Sequence, residues 1–406
     1  MSIDDTFSES SVRAILAERA ISRRRLLIGA AAGAGSALLA ACGRPSAPSD
    51  SAPIPTSAKP SGWDAIVAAA RQEGTVIIYG ATSEALQQVI NEDFPNAYPG
   101  IKVESVSAGG SELVPRIMSE RAAGRYIPDV IISGSFSMLG SLKPAGALAP
   151  LATAFVLPEV SDESAWLQNR LWWADDAEPN TTLNFQGILI APIYVNTSMV
   201  NIGDFTSYND VLDPKWKGRM VSNDIRQTGP GGVPARFIYK NPSLGPRWFE
   251  RLYGEMDVTL SRDQRQMVDW VAEGRYPIGL FLAETEASVA RNQGLPIAPV
   301  PCDQFKEGAA IGPGNGSMAL FDPTPHPNAA KVFINWLLSR EGQTTWQNRT
   351  KFSSLRVDIP KDGLVQDYVP KPGRQYADGG TEEYGRITGS IFGELITSAL
   401  ESAGRQ

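Results

Sequence analysis

Two residue types that build most small catalytic and metal sites are nearly missing from this chain: its 406 residues hold two cysteines and one histidine. Cys42 closes an apolar N-terminal stretch, so Cys302 has no partner in the remainder, and no intramolecular disulfide is available there even in an oxidising compartment. Cys302 reads as a small apolar filler. A single histidine excludes a His-rich zinc site, and a Ser-His-Asp triad would have to use His326, which stands in "DPTPHPNAAKVFINWLL" at the start of a helix. A basic excess is also absent. The 37 Lys and Arg face 44 Asp and Glu, a formal net charge of −7, with no basic block outside the first segment, so nucleic-acid binding is not expected. No repeat of solenoid length occurs.

What is present begins with an address. In "SRRRLLIGAAAGAGSALLAACG" (residues 22–43) three arginines run into an uncharged stretch, Leu26 to Ala41, that falls short of the roughly 20 strongly apolar residues of a spanning helix. A cleaved export signal fits the charge, length and small residues. Arg23-Arg24-Arg25-Leu26-Leu27 resembles the twin-arginine consensus, and Leu39-Ala40-Ala41-Cys42 resembles the bacterial lipobox, whose cysteine thiol accepts a diacylglycerol. Two or three acyl chains anchor stably where one does not. Residues 1–41 therefore read as a twin-arginine-type lipoprotein signal peptide. Residues 42–62, rich in Pro and Ser, read as a disordered tether. The protein is expected to be exported and lipid-anchored in the cell envelope, in the periplasm or on the outer face of the cytoplasmic membrane.

The rest of the chain is long enough for two lobes. "TVIIYG", "GIKVESVSAGG" and "PDVIISGS" are apolar, β-branched runs, each separated from the next by a helix-period segment, which is the pattern of a parallel α/β sheet. "ILIAPIYVN" reads as one long strand. A second α/β series follows in "GRMVSND", "YPIGLFLAE" and "PIAPVP" with intervening helices, and "GSMALFD" leads into a helix from Pro327 to Ser339 with one apolar face of Ala330, Phe333, Ile334, Leu337 and Leu338. The expected fold is α/β and two-lobed: residues 63–185 begin lobe 1, 186–305 form lobe 2, 306–345 return to lobe 1, and 346–406 are a helical and irregular segment packed on the lobes.

Ligands of open α/β sheets sit beyond the carboxyl ends of the strands. The loops there, "YGATSE", "SAGGSE" and "ISGSFS", are rich in hydroxyls and glycine, and free N–H groups with hydroxyls at a helix start suit an anion or a polar solute. Thr82, Ser83, Gly110, Ser111, Ser133, Gly134 and Ser135 are the first-lobe candidates. In the second lobe "SNDIRQTGPGG" offers Arg226, whose fork suits carboxylate or phosphate, with Thr228 and Gly231. Glu284 stands at the end of a strand as a further candidate. Trp172 and Trp173 suit either stacking on a solute or packing between elements.

From about Trp63 to Pro360 the chain resembles the extracellular solute-binding proteins of bacterial ABC transporters, in the branch that includes binders of ferric ion and small organic anions. The likeness rests on "VIIYGATSE", "PDVIISGS" with "LKPAGALAPL", "DVLDPKWKGRM", and "HPNAAKVFINWLLSREGQTTW". The resemblance implies a type II periplasmic-binding-protein-like fold with a hinge and an interlobe cleft. It implies a receptor that closes over its solute and delivers it to a permease and its ATPase; with Arg226 and the first-lobe loops, the expected solute is small, polar and anionic, phosphorylated or carboxylated, bound by a monomer without a cofactor. Fe(III) or a ferric complex is the alternative. Ferric-binding members use tyrosine ligands, and the segment compared with them, "NRTKFSSLRVDIP", has Phe352, Ser353 and Ser354. A more remote alternative is a hydrolase using Glu284 and Glu286. Positions i and i+2 do not share a helix face, whereas a glycosidase needs two carboxyls across one bond.

Replacing the lipobox cysteine tests the address. Cys42→Ser is expected to abolish lipid labelling and leave soluble or uncleaved protein, because a hydroxyl does not replace the thiol nucleophile. Undiminished labelling of the variant with a radiolabelled fatty acid would refute the anchor.

Overall fold

The structure is a computed structural model, and it describes residues 62–226 and 231–405. The signal segment, Cys42, nearly all of the tether and Thr228 lie outside the described residues. Fourteen strands are present among the described residues. In chain order the first seven are β1 (Thr75–Gly80), β2 (Lys102–Val106), β3 (Val130–Ser133), β4 (Leu148–Ala149), β5 (Thr182–Asn184), β6 (Ile188–Leu189) and β7 (Ile193–Asn196). The others are β8 (Met220–Asn223), β9 (Thr259–Ser261), β10 (Ile278–Leu280), β11 (Ile297–Pro299), β12 (Ala309–Gly312), β13 (Ser317–Phe321) and β14 (Tyr376–Asp378).

The first sheet has the order β2-β1-β3-β13-β4, with β5 also paired to β13. β1 runs parallel to β2 and β3, as the intervening helical segments require. β13 enters antiparallel to β3, so the sheet is mixed and not wholly parallel. The second sheet, β11-β7-β10-β8-β9, is mixed too: β8 is parallel to β9 and β10, while β7 is antiparallel to β10 and β11. A third sheet, β14-β12-β6, joins them.

That third sheet corrects the reading of "ILIAPIYVN" as one strand. Pro192 has no N–H to give to a ladder, and the run divides into β6 in the joining sheet and β7 in the second sheet. The chain thus leaves the first sheet after β5, passes through β6 and enters the second sheet at β7. It returns from β11 through β12 to β13. β14 adds a parallel third strand to β12.

The first sheet is covered by the helix Pro327–Leu338, which lies against the helix Gly62–Glu73. All five of its expected core residues are buried, and so are Val332, Asn335 and Trp336, because the helix is enclosed on more than one face. Phe94 packs edge-on to Phe333 at 5.1 Å and against Trp336 at 5.3 Å. Such pairs contribute about 0.5 to 1.5 kcal/mol beyond their burial. His326 precedes this helix and faces Asp129: the carboxylate accepts the His326 backbone N–H at 2.7 Å and lies 2.9 Å from Nδ1. This pair is at the amino end of β3, away from the strand-end loops. Cys302 is buried, and burial pushes its thiol up to about 12, which makes it an inert filler. Trp172 is buried with Nε1 donating to the Leu167 carbonyl, and Trp173 stacks on Phe155, so both pack the interior. Among the described residues no helix is long and apolar enough to cross a membrane.

Where the sheets join, the Asn184 amide donates to both Asp378 oxygens at 3.1 and 3.0 Å, and Gly380 N–H donates to the same carboxylate at 2.8 Å. Burial nevertheless pushes the Asp378 carboxyl up to about 6, outweighing those hydrogen bonds and the charge of Arg170. A carboxyl whose folded value is raised contributes stability that is complete below its unfolded value and is lost as pH rises through about 6. Asp378→Asn removes this titration. The urea stability of the wild type relative to that variant is expected to fall by on the order of 2 to 3 kcal/mol from pH 4 to pH 7, and a flat difference would refute the assignment.

Candidate functional site

β1, β2 and β3 are adjacent and parallel, so their carboxyl ends place three loops side by side. The structure brings the first-lobe candidates together there. A Cβ at Gly110 would fall 1.9 Å from Ser137 Oγ and 3.6 Å from Ser133 Oγ, which shows how closely the second and third loops meet. Thr82 Oγ1 accepts a hydrogen bond from Asn315 Nδ2 at 3.3 Å, so the turn between β12 and β13 closes on the first loop. Not every hydroxyl is free. Ser83 caps the helix Glu84–Gln88 by accepting from Leu86 N–H. Ser135 is buried and donates to the Gly380 carbonyl at 2.6 Å. Ser111 is exposed at the start of the helix Gly110–Ala122.

On the other side, Asp224 directly follows β8, and Arg226 turns its fork onto it: Nε donates to Oδ1 at 2.7 Å and Nη2 to Oδ2 at 3.1 Å. Arg262 reaches the same carboxylate. Burial alone would raise the Asp224 carboxyl, but the two guanidinium groups hold it below its ordinary value. Arg226 is thus engaged by its own strand-end carboxylate. Gly231 adopts φ +86°, leads into the helix Gly232–Lys240, and supplies no side-chain cap.

Arg236, in the middle of that helix, belongs to no strand-end loop and to no motif that marks it in the sequence. A Cβ at Gly232 would lie 3.0 Å from its Nη1, so the guanidinium folds back over the N-terminus of its own helix. It also sits 4.8 Å from the centre of the Phe136 ring, directly after Ser135 in the first-lobe loop. Its Nε donates to the Ile387 carbonyl at 2.8 Å. Among the described residues no carboxylate pairs with it, and burial pulls it below its ordinary value with nothing opposing. A cation held against the positive end of a helix is an arrangement that an anion would relieve.

The segment that supplies Ile387 was expected only to pack on the lobes. It contacts both sides of the joining sheet in alternation. Lys143 pairs with Glu382 at 2.9 Å and Asp175 at 2.8 Å, and Arg386 pairs with Asp176 at 2.7 Å. Lys240 pairs with Glu383 on the opposite side. Its signal in the sequence, the glycines and acids of "ADGGTEEYGR", lies far from the loops it reaches.

Glu284 begins the helix Glu284–Asn292, half-buried, and burial raises its carboxyl. Glu286 accepts from the neighbouring Thr285 hydroxyl. Ser353 and Ser354 are buried, and Ser354 bonds to Gln343 and Gln347 of the helix Arg340–Thr350, so that segment is interior structure. Among the described residues no group of three or more His, Cys, Asp or Glu side chains is placed to hold a metal ion.

A family model for bacterial extracellular solute-binding proteins matches residues 79–344. Among solved structures, iron-bound HitA from Pseudomonas aeruginosa is 20% identical with a TM-score of 0.51, covering 81% of this chain and 98% of its own. A Trichodesmium FutA complex with iron and citrate is 16% identical with a TM-score of 0.58, covering 82% and 100%. AfuA from Actinobacillus pleuropneumoniae, a periplasmic binding protein with fructose-6-phosphate bound, is 18% identical with a TM-score of 0.53, covering 82% and 99%. At these identities the likeness is one of fold. No curated protein matches the chain.

Gly231 sets where the helix Gly232–Lys240 begins, since an added Cβ would lie 2.5 Å from Phe281 Cβ at a left-handed φ. Gly231→Ala is expected to lower urea stability by about 1 to 3 kcal/mol. An unchanged midpoint would show that the turn relaxes without cost.

Proposed function

This chain belongs to the bacterial extracellular solute-binding proteins, and from that premise we propose that it is the lipid-anchored receptor of an ABC importer for a small organic anion, phosphorylated or carboxylated. The observation that carries the reading is Arg236. Among the described residues its guanidinium has no carboxylate partner; it lies over a helix N-terminus and reaches the Phe136 loop beside the first-lobe hydroxyls. A partly buried cation without a counterion is costly, and a bound anion supplies the missing charge through forked, charge-assisted hydrogen bonds. Arg236 thereby takes the role first given to Arg226. The hydroxyls of Thr82 and Ser111, with Gly110 and Gly134, supply the polar wall for the rest of the solute. Glu284 and Glu286 have no catalytic part in this reading.

The receptor works as a monomer, binds the solute between the lobes and hands it to a permease and its ATPase. Closure about a hinge is the motion such a two-lobed fold permits. The twin arginine and the lipobox support export and anchoring. Ferric iron carried by an anionic chelator is the second reading, favoured by the iron and citrate in the Trichodesmium structure. Bare Fe(III) fits less well, because Arg236 repels a cation.

A thermal-shift screen of the mature domain against phosphates, carboxylates, sugars, polyamines, Fe(III) and ferric citrate identifies the class, since a ligand that prefers the folded state raises the midpoint. With the best ligand, calorimetry is expected to show Arg236→Ala weakened by about 1.5 to 3 kcal/mol, roughly tenfold or more. Arg236→Lys should fall between, keeping charge without the fork. Arg226→Ala should lose less. Wild-type affinity in Arg236→Ala would overturn the anion site, and turnover of the ligand would overturn the receptor reading.

A further inference from the structure

Away from the strand-end loops, a cavity of ≈ 160 Å³ lies under the segment that follows the helix Arg340–Thr350. Its walls are largely apolar, with Leu167, Leu355, Val357, Val369 and Pro370, and Lys361 forms part of the lining. Three cations border this space. Arg356 turns its fork onto Asp358, with bonds of 3.0 and 2.8 Å, and Lys371 pairs with Asp303 at 3.5 Å. Lys361 alone has no carboxylate in an ion pair among the described residues. Its Nζ donates to two neutral acceptors, the Gln347 side-chain oxygen at 2.7 Å and the Ser354 carbonyl at 2.8 Å. An ammonium has three N–H groups, and the third has no acceptor among the described residues. Burial pulls the amine down to about 8, with Asp358 acting weakly against it while engaged by Arg356.

We propose that this cavity is a binding site for a small aliphatic carboxylate, whose oxygens accept the third Lys361 N–H and whose chain lies on Leu167, Leu355, Val357 and Val369. The charge argument selects a carboxylate over a neutral polar ligand: a half-buried ammonium bonded only to neutral groups gains most from an anion. The walls select an aliphatic body, and the volume sets its size, since a cavity of about 150 Å³ holds a molecule as large as benzene. Butyrate, with as many non-hydrogen atoms, is the probe. The site shares no residue with the strand-end loops, so it stands or falls apart from the solute reading.

Reductive methylation with formaldehyde and a borane, followed by peptide mass spectrometry, reads Lys361 directly. Butyrate at tens of millimolar is expected to slow labelling of Lys361 severalfold and leave other lysines unchanged, because the bound carboxylate both covers the amine and keeps it protonated. Butanol and sodium chloride at matched ionic strength should have no such effect. Val357→Trp, at an exposed position that tolerates bulk, should fill the cavity and abolish the protection. Protection by chloride alone, persistence of protection in Val357→Trp, or no protection by butyrate would each overturn the site. So would a Lys361 that resists labelling in the free chain, since a cavity closed to formaldehyde is closed to butyrate.

Discussion

The carboxylate of Asp378 accepts the Asn184 amide and the Gly380 N–H, while the Asn184 side-chain oxygen accepts the Ser317 hydroxyl at 2.6 Å. These contacts join the end of β5, the start of β13 and the end of β14, which are the places where the chain leaves the first sheet, comes back to it and completes the joining sheet. Each of these polar groups is buried, and a buried polar group without a partner costs more than the bond itself contributes. The three chain segments are therefore fixed relative to one another by mutual need. The position of the loops on both sides of the joining sheet follows from that.

Two arginines near the second-lobe strand end show how tertiary context sorts identical chemistry. Arg226 lies beside Asp224 along the chain and falls onto it. Arg236 stands on a helix whose sequence, "GVPARFIYK", contains no acid, and among the described residues its fork meets a backbone carbonyl and an aromatic face but no carboxylate. Charge balance separates them: the Asp224 cluster satisfies much of its own charge, whereas Arg236 adds a positive charge to an already positive helix end. Lys361 repeats the arrangement in a different setting, with neutral acceptors where a carboxylate would be expected. Partly buried cations without a carboxylate are where an anionic ligand gains most.

The C-terminal segment binds these regions into one system. Its neighbouring residues Glu382 and Glu383 pair with lysines on opposite sides of the joining sheet, and Ile387 holds Arg236 from behind. Any change in the angle between the sheets must break or stretch part of this set, so the segment bears on the shape of the space between them.

The sequence by itself determined the class of fold and the position of most strands. "TVIIYG", "PDVIISGS" and "GSMALFD" are legible because β-branched runs bounded by glycine and separated by helical spacing have few other solutions. The hydroxyl and glycine loops were legible for the same reason, since adjacent parallel strands must place their carboxyl ends together. What only the tertiary structure decided is which of those groups are occupied. Nothing local tells which sheet each half of the run around Pro192 joins, that Ser135 gives its hydroxyl to Gly380, or that Arg236 meets the Ile387 carbonyl and, among the described residues, no carboxylate. Local pattern reports burial and periodicity over a few residues. Some of the deciding hydrogen-bond partners come from segments more than a hundred residues away, Ser135 with Gly380 and Arg236 with Ile387, and pairing at that separation is settled only when the whole chain has closed.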